Sequence, residues 1–297
     1  MNKQLKGVLC ALLTPSHEDG SFNETAMRES VEHCISIGIS GVYVLGSAGE
    51  FFAYTMEEKS RILDVVIEQT AGRIPVIAGC GAISTKETLA QCEMVREKKV
   101  DYISCVTPYY IKPTQQDMYR HYQTIAESSR QPVIIYHYPE RTGVFLEPGT
   151  VERLSHIPNL AGMKDSGGDL EVFKRYMEWD SDHFQVMMGI DGLLLEALKL
   201  GCTAAISAPS NVIGKILVGI YENYQAGDLV KAEQLQGQFL KFKEMLSLAP
   251  SPTIVKEAAN IIGLHVGAPS KPLQRPSDSI HRKLEELLVR EFQDCFC

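Results

Sequence analysis

The sequence is short of basic charge. Lysine and arginine number 29 against 37 aspartates and glutamates, and the formal charge is −8. No basic stripe is available to neutralise phosphates, which excludes nucleic acid as a partner. Long apolar runs are also missing, so nothing in the sequence is read as crossing a membrane. The opening MNKQLKGVLCALLTP sets lysines before an apolar stretch, but the stretch is short and no small-residue cleavage site follows. It reads as a first strand and not as a signal peptide. Internal repeats and low-complexity segments are absent, and so is any CxxC pair. The eight cysteines (Cys10, Cys34, Cys80, Cys92, Cys105, Cys202, Cys295 and Cys297) are scattered, without histidines at metal-binding spacing. Most lie in apolar segments, as reduced buried thiols do. The expectation is no metal and a reducing, cytoplasmic location. The closing DCFC is expected to be a frayed end.

What the sequence does have is order. Its 297 residues suffice for one large domain or two small ones. Continuous apolar runs recur: GVLCALLTP, GVYVLGS, IPVIAGC, VDYISCVTP, PVIIYHYP, LAGMKDS, FQVMMGI and CTAAISAPS. Unbroken apolar runs suit strands of a parallel sheet buried on both faces. Helical patterns lie between them: Asn23–Ile37, Thr55–Thr70, Ser84–Lys98, Gln115–Ser128, Gly149–His156, Asp169–Trp179 and Asp191–Leu200. The second opens on Thr55, with Glu58 completing a capping box. Eight repetitions predict an α/β fold, a (β/α)8 TIM barrel over residues 1–212. An open doubly wound sheet is the alternative, but the length and the count favour closure. Beyond Val212 the strands stop. Ile213–Tyr224, Leu229–Leu248, Ile254–Ile262 and Ser279–Phe292 read as helices, broken at APSPT and APSKPLQRP. Residues 213–297 are therefore expected to be a C-terminal helical extension packed on the barrel as part of the same structural unit.

In such barrels the site sits at the C-terminal ends of the strands. Those ends hold Thr14-Pro15, GSAGEF (46–51), GCGA (79–82), TPYY (107–110), YHYPERTG (136–143), Lys164-Asp165-Ser166, GID (189–191) and ISAPSN (206–211). Lys164 is the one lysine within a strand or at its end. Hydroxyls share the rim: Ser47, Tyr109, Tyr110, Tyr136 and Tyr138. A lysine in an apolar mouth is desolvated, which favours the neutral amine. A neutral amine can attack a ketone to form a Schiff base, and the protonated imine is an electron sink. A neighbouring tyrosine can relay protons, and the N–H groups of GSAGE can receive a carboxylate. Each feature also has a plainer reading. Lys164 can be solvated or paired to Asp165, Tyr136 and Tyr110 can be packing residues, GSAGEF can be a simple turn, and Arg141 can lie on the surface.

The three segments GSAGEF, YHYPERTG and GMKDSGGDL together resemble the pyruvate-dependent class I lyases grouped around dihydrodipicolinate synthase and N-acetylneuraminate lyase. The resemblance covers nearly the whole chain. It implies a Schiff-base role for Lys164 and a proton-shuttling role for Tyr136. Ser47 would link that tyrosine to a second one, Tyr110, which the synthases lend across a tight dimer interface. Ser47 and Ala48 would offer backbone donors to the pyruvate carboxylate, Ile206 would lie against bound pyruvate, and Gly189 would join the substrate-binding set. Arg141 matches the synthase arginine that meets a carboxylate on the second substrate. Partners would be pyruvate and an aldehyde or keto sugar acid, with a homotetramer (a dimer of dimers) as the assembly and no cofactor. There are departures. Ala48 replaces the usual threonine, and His137 stands where asparagine is common. Gly192 and Ala208 stand where sialate lyases carry polar sugar contacts. Ile83 is apolar where the lysine-regulated synthases are polar, and of that inhibitor site only Glu87 matches. The expectation is a lyase that condenses pyruvate with an aldehyde or releases it, most like a dihydrodipicolinate synthase. A 2-keto-3-deoxy sugar acid aldolase or dehydratase, or a sialate lyase-like aldolase, is the alternative. A non-catalytic keto-acid-binding barrel is the alternative from another class.

Overall fold

The computed structural model describes residues 5–295, so Cys297 of the closing DCFC lies outside the described residues. Among the described residues there are eight strands: β1 (Gly7–Ala11), β2 (Gly41–Val44), β3 (Val76–Gly79), β4 (Tyr102–Val106), β5 (Val133–His137), β6 (Leu160–Asp165), β7 (Gln185–Met188) and β8 (Ala204–Ser207). They follow one another in sequence order and close into a barrel. The pairings from β3 to β8, and that of β1 with β2, are parallel. Nearly every strand residue is buried, because one face fills the barrel and the other lies under helices. That double burial is why these strands read as unbroken apolar runs. The expected (β/α)8 barrel is the observed one.

The intervening helices begin where capping residues stand. Asn23, Ser84 and Asp169 each accept a backbone N–H at a helix start, and Thr55 with Glu58 forms the expected capping box. Thr114 and Asp117 form another. Some details differ from the sequence reading. Asp191–Leu193 is a 3-10 turn, and the α-helix starts only at Leu194. Pro139–Thr142 is a single helical turn, opened by proline and closed by Gly143 in the left-handed region. One turn is too short to show apolar periodicity, although proline first and glycine last were the signals for it. The C-terminal helices are Ser210–Gln225, Leu229–Leu246, Thr253–Ile261 and Asp278–Phe292. The first begins three residues before the apolar pattern does, because a kink at Ile213 separates its opening turn from the rest.

Close packing divides the chain into two compact units. Of the described residues, one is built on Pro75–Ile206 and includes Leu5 and Lys6, and the other combines Gly7–Ile74 with residues 207–295. In the first, the Gln185 amide pairs with both backbone groups of Leu5. In the second, the Asn211 amide accepts from Leu13 N–H and donates to Ala11 C=O, seating the helix after β8 against the end of β1. The seven described cysteines are buried thiols outside any disulfide. No helix of the described residues is long and apolar enough to cross a membrane. No cluster of histidine, cysteine, aspartate or glutamate among them is arranged to hold a metal.

Candidate active site

Lys164 and Tyr136 are register partners on adjacent strands β6 and β5. Side chains alternate across a strand, so register partners share a face. The Lys164 ammonium lies 4.4 Å from the centre of the Tyr136 ring, and the two residues are 5% and 4% exposed. The next register pair, His137 and Asp165, points to the opposite face. There the Asp165 carboxylate accepts from His137 Nδ1 at 2.7 Å and from Gly167 N–H at 3.0 Å. Asp165 is thus turned away from Lys164, and strand alternation is the reason.

Burial pulls the Lys164 pKa down from the ordinary lysine value to about 8; the Asp191 carboxylate opposes the shift and the Arg141 cation reinforces it. Gly189, at the end of β7, is the floor under this lysine. A Cβ there would come within 2.1 Å of Ser166 Oγ and 2.9 Å of Lys164 Cε. Only a residue without a side chain leaves room for the lysine stem.

Arg141 sits in the helical turn Pro139–Thr142 after β5, exposed, with its guanidinium 5.0 Å from the centre of the Tyr138 ring. Thr107 donates to Thr142 Oγ1 at 3.0 Å, and Thr142 donates to Tyr138 C=O at 3.0 Å, so the turn is pinned to the end of β4. Tyr136 and Tyr138 rings stand 5.9 Å apart. Ile206 is buried at the end of β8. Within this unit the structure therefore gathers Lys164, Tyr136, Gly189 and Arg141. Tyr110 is not buried with them. Tyr110 is 87% exposed and Ile111 71%, and Tyr110 has a φ of +78°, a strained conformation for a residue with a Cβ. Its neighbour Tyr109 is half-buried, and desolvation raises its phenol pKa.

The turn of GSAGE belongs to the other unit. Glu50 N–H donates to Ser47 C=O at 3.2 Å, and Leu45 and Glu50 are both left-handed. A Cβ on Gly49 would stand 3.0 Å from Leu12 C=O, so the turn packs down on the backbone that follows β1. Among the described residues neither the Ser47 nor the Ala48 N–H donates to a backbone carbonyl. Sequence reasoning missed what anchors this turn. Glu50 is fully buried and meets Lys256, also fully buried, at 2.5 Å. Glu50 also accepts from Ser270 N–H at 2.6 Å, and Lys256 donates to Ala268 C=O at 3.0 Å. The signal was a lysine inside the apolar stretch TIVKEAANI.

Comparison with known proteins agrees with this fold. A model of the dihydrodipicolinate synthetase family matches residues 4–291. The 4-hydroxy-tetrahydrodipicolinate synthase of Methanopyrus kandleri is 34% identical over 99% of this chain and 97% of its own. The crystal structure of dihydrodipicolinate synthase from Bacillus anthracis superposes with a TM-score of 0.94 at 34% identity, covering 97% of this chain and 98% of that one. A chloride-inhibited dihydrodipicolinate synthase from Acinetobacter baumannii, complexed with pyruvate, gives 0.92 at 31% identity over 96% and 98%. With a closed barrel, a buried lysine beside a tyrosine on adjacent strands, and similarity over almost its whole length, this chain belongs to the dihydrodipicolinate synthetase family.

Proposed function

We propose that the chain joins pyruvate to a carboxylate-bearing aldehyde through an imine on Lys164, in the manner of its synthase relatives. One observation carries the reading: Lys164 is buried beside Tyr136 in register, with its pKa lowered to about 8. An appreciable fraction of the amine is then neutral near neutral pH and can attack the ketone of pyruvate. The carbinolamine loses water to give the protonated imine. Loss of a methyl proton gives the enamine, whose carbon attacks the aldehyde, and water then returns to release the product and regenerate the lysine.

Tyr136 is the group positioned to carry protons at these steps, with Ser47 and Tyr110 completing the relay. Ser47 and Ala48 receive the pyruvate carboxylate on their N–H groups, and Ile206 lies against the bound pyruvate. Arg141, which suits a carboxylate with its fixed fork, reads the second substrate. Subtracting pyruvate from the ring product that the relatives' name specifies, and restoring the water lost when the amine closes on the ketone to form the ring, leaves aspartate semialdehyde, an aldehyde with such a carboxylate. The exposure of Tyr110 and Ile111 supports a tight dimer, within a homotetramer, in which Tyr110 serves the neighbouring subunit. The buried thiols support a reducing cytoplasm.

Borohydride reduction with pyruvate tests the reading. A covalent adduct on the Lys164 peptide is the expected result. An adduct elsewhere removes the assignment, and no adduct leaves a keto-acid binder. A second reading, cleavage of a deoxy-keto sugar acid, draws on Ala48, which lacks the hydroxyl usual at that place. Release of pyruvate from such acids, and not its consumption with aspartate semialdehyde, would favour it.

A further inference from the structure

The imidazole of His137 has a role beyond the sites that the family resemblance assigns. It is fully buried. Leu146 N–H donates to its Nε2 at 3.2 Å, so Nε2 is the bare nitrogen and Nδ1 carries the proton, donating it to Asp165 Oδ1 at 2.7 Å. Phe145 and Tyr176 meet the ring edge to face, with centres 5.3 and 5.8 Å away. Tyr176 in turn donates to Leu146 C=O at 2.5 Å. One end of the imidazole therefore holds β6 directly behind Lys164. The other end holds Leu146, downstream of the turn that carries Arg141, while Thr107 holds the same segment at Thr142.

We propose that His137 is a positioning residue: a neutral imidazole that ties the imine-bearing strand to the Arg141 segment and so fixes the distance between the two substrates' anchors. This rests on the imine reading of Lys164. The two ends can be tested apart, because an asparagine amide reaches only the Nδ1 position and a glutamine amide reaches the Nε2 position. His137→Asn keeps the donor to Asp165 and releases Leu146. Adduct formation with pyruvate should be unchanged, while KM for aspartate semialdehyde rises about three- to tenfold, the scale of one neutral hydrogen bond. Hydrogen exchange at the Leu146 amide should quicken. His137→Gln keeps Leu146 and leaves the buried Asp165 short of a donor. Adduct formation should slow on the order of tenfold, with KM for the aldehyde little changed.

If the unmodified protein gives no adduct, the imine reading fails and this proposal with it. If it gives one, equal losses in both parameters for both variants, or no loss in either, overturn this proposal alone. Nitrogen-15 spectra of the unmodified protein add a check that survives poor folding of the variants: a neutral imidazole protonated on Nδ1 is expected, and protonation on Nε2 overturns the assignment.

Discussion

Glu50 and Lys256 face each other at 2.5 Å with neither side chain reached by solvent. The pair satisfies its remaining polar atoms on Ser270 and Ala268, and in doing so it bolts the GSAGE turn to the segment that follows the third C-terminal helix. Burial lowers the Lys256 pKa, and the Glu50 charge offsets only part of that shift. Breaking such a pair by removing one partner strands a buried charge and costs about 3–5 kcal/mol. Lys256→Met and Glu50→Gln should each unfold at markedly lower urea concentration, and the double variant should lose less than the sum. Urea midpoints equal to that of the parent would show that the pair does not hold the turn.

The lowered pKa of Lys164 sets a pH profile. Below about 8 the neutral fraction falls roughly tenfold per pH unit, so the initial rate of adduct formation should rise with pH and level off above about 8. Arg141 depresses that pKa and Asp191 raises it. Removing the cation with Arg141→Met should therefore move the midpoint to higher pH, and Asp191→Asn should move it to lower pH. Borohydride trapping at a series of pH values measures all three, and a flat profile would deny that Lys164 titrates in this range. Arg141→Met should also raise KM for aspartate semialdehyde while sparing adduct formation at its own pH plateau.

Tyr136→Phe keeps the ring against Lys164 and removes the phenol. Turnover should fall by roughly two to four orders of magnitude, as for a lost acid–base group, with the fold intact by circular dichroism. Near-parental turnover would assign proton transfer elsewhere.

Gly189→Ala places a methyl group where Ser166 Oγ, Asp165 C=O and Lys164 Cε already stand, the last two at 2.8 and 2.9 Å. Overpacking of this kind costs about 1–3 kcal/mol. Because the lysine stem must yield, the rate of adduct formation should fall more than pyruvate affinity does. A stopped-flow comparison of binding and trapping separates the two, and unaltered trapping would mean that the stem has room.

The barrel was legible in the sequence because strands buried on both faces must be apolar throughout, and because Asn23, Thr55 and Ser84 announce their helices chemically. Lys164 and Tyr136 were legible because each stands out at a strand end. What could not be read was the partner of each polar group. Asp165 follows Lys164 in sequence, yet alternation sends it to His137, and only the register of β5 on β6 reveals that. Glu50 and Lys256 lie some two hundred positions apart, and nothing local links them. The helical turn at Pro139–Thr142 is one turn long, below the reach of periodicity.

The thiols hidden in the core amount to a built-in reporter. A cysteine shut away from water cannot meet an alkylating reagent until its surroundings come apart. Cys80, Cys92, Cys105 and Cys202 belong to one compact unit and Cys10, Cys34 and Cys295 to the other. Timed alkylation under mild denaturant, read peptide by peptide, would thus give the order in which the two halves of this chain let go, with no residue substituted to carry a probe.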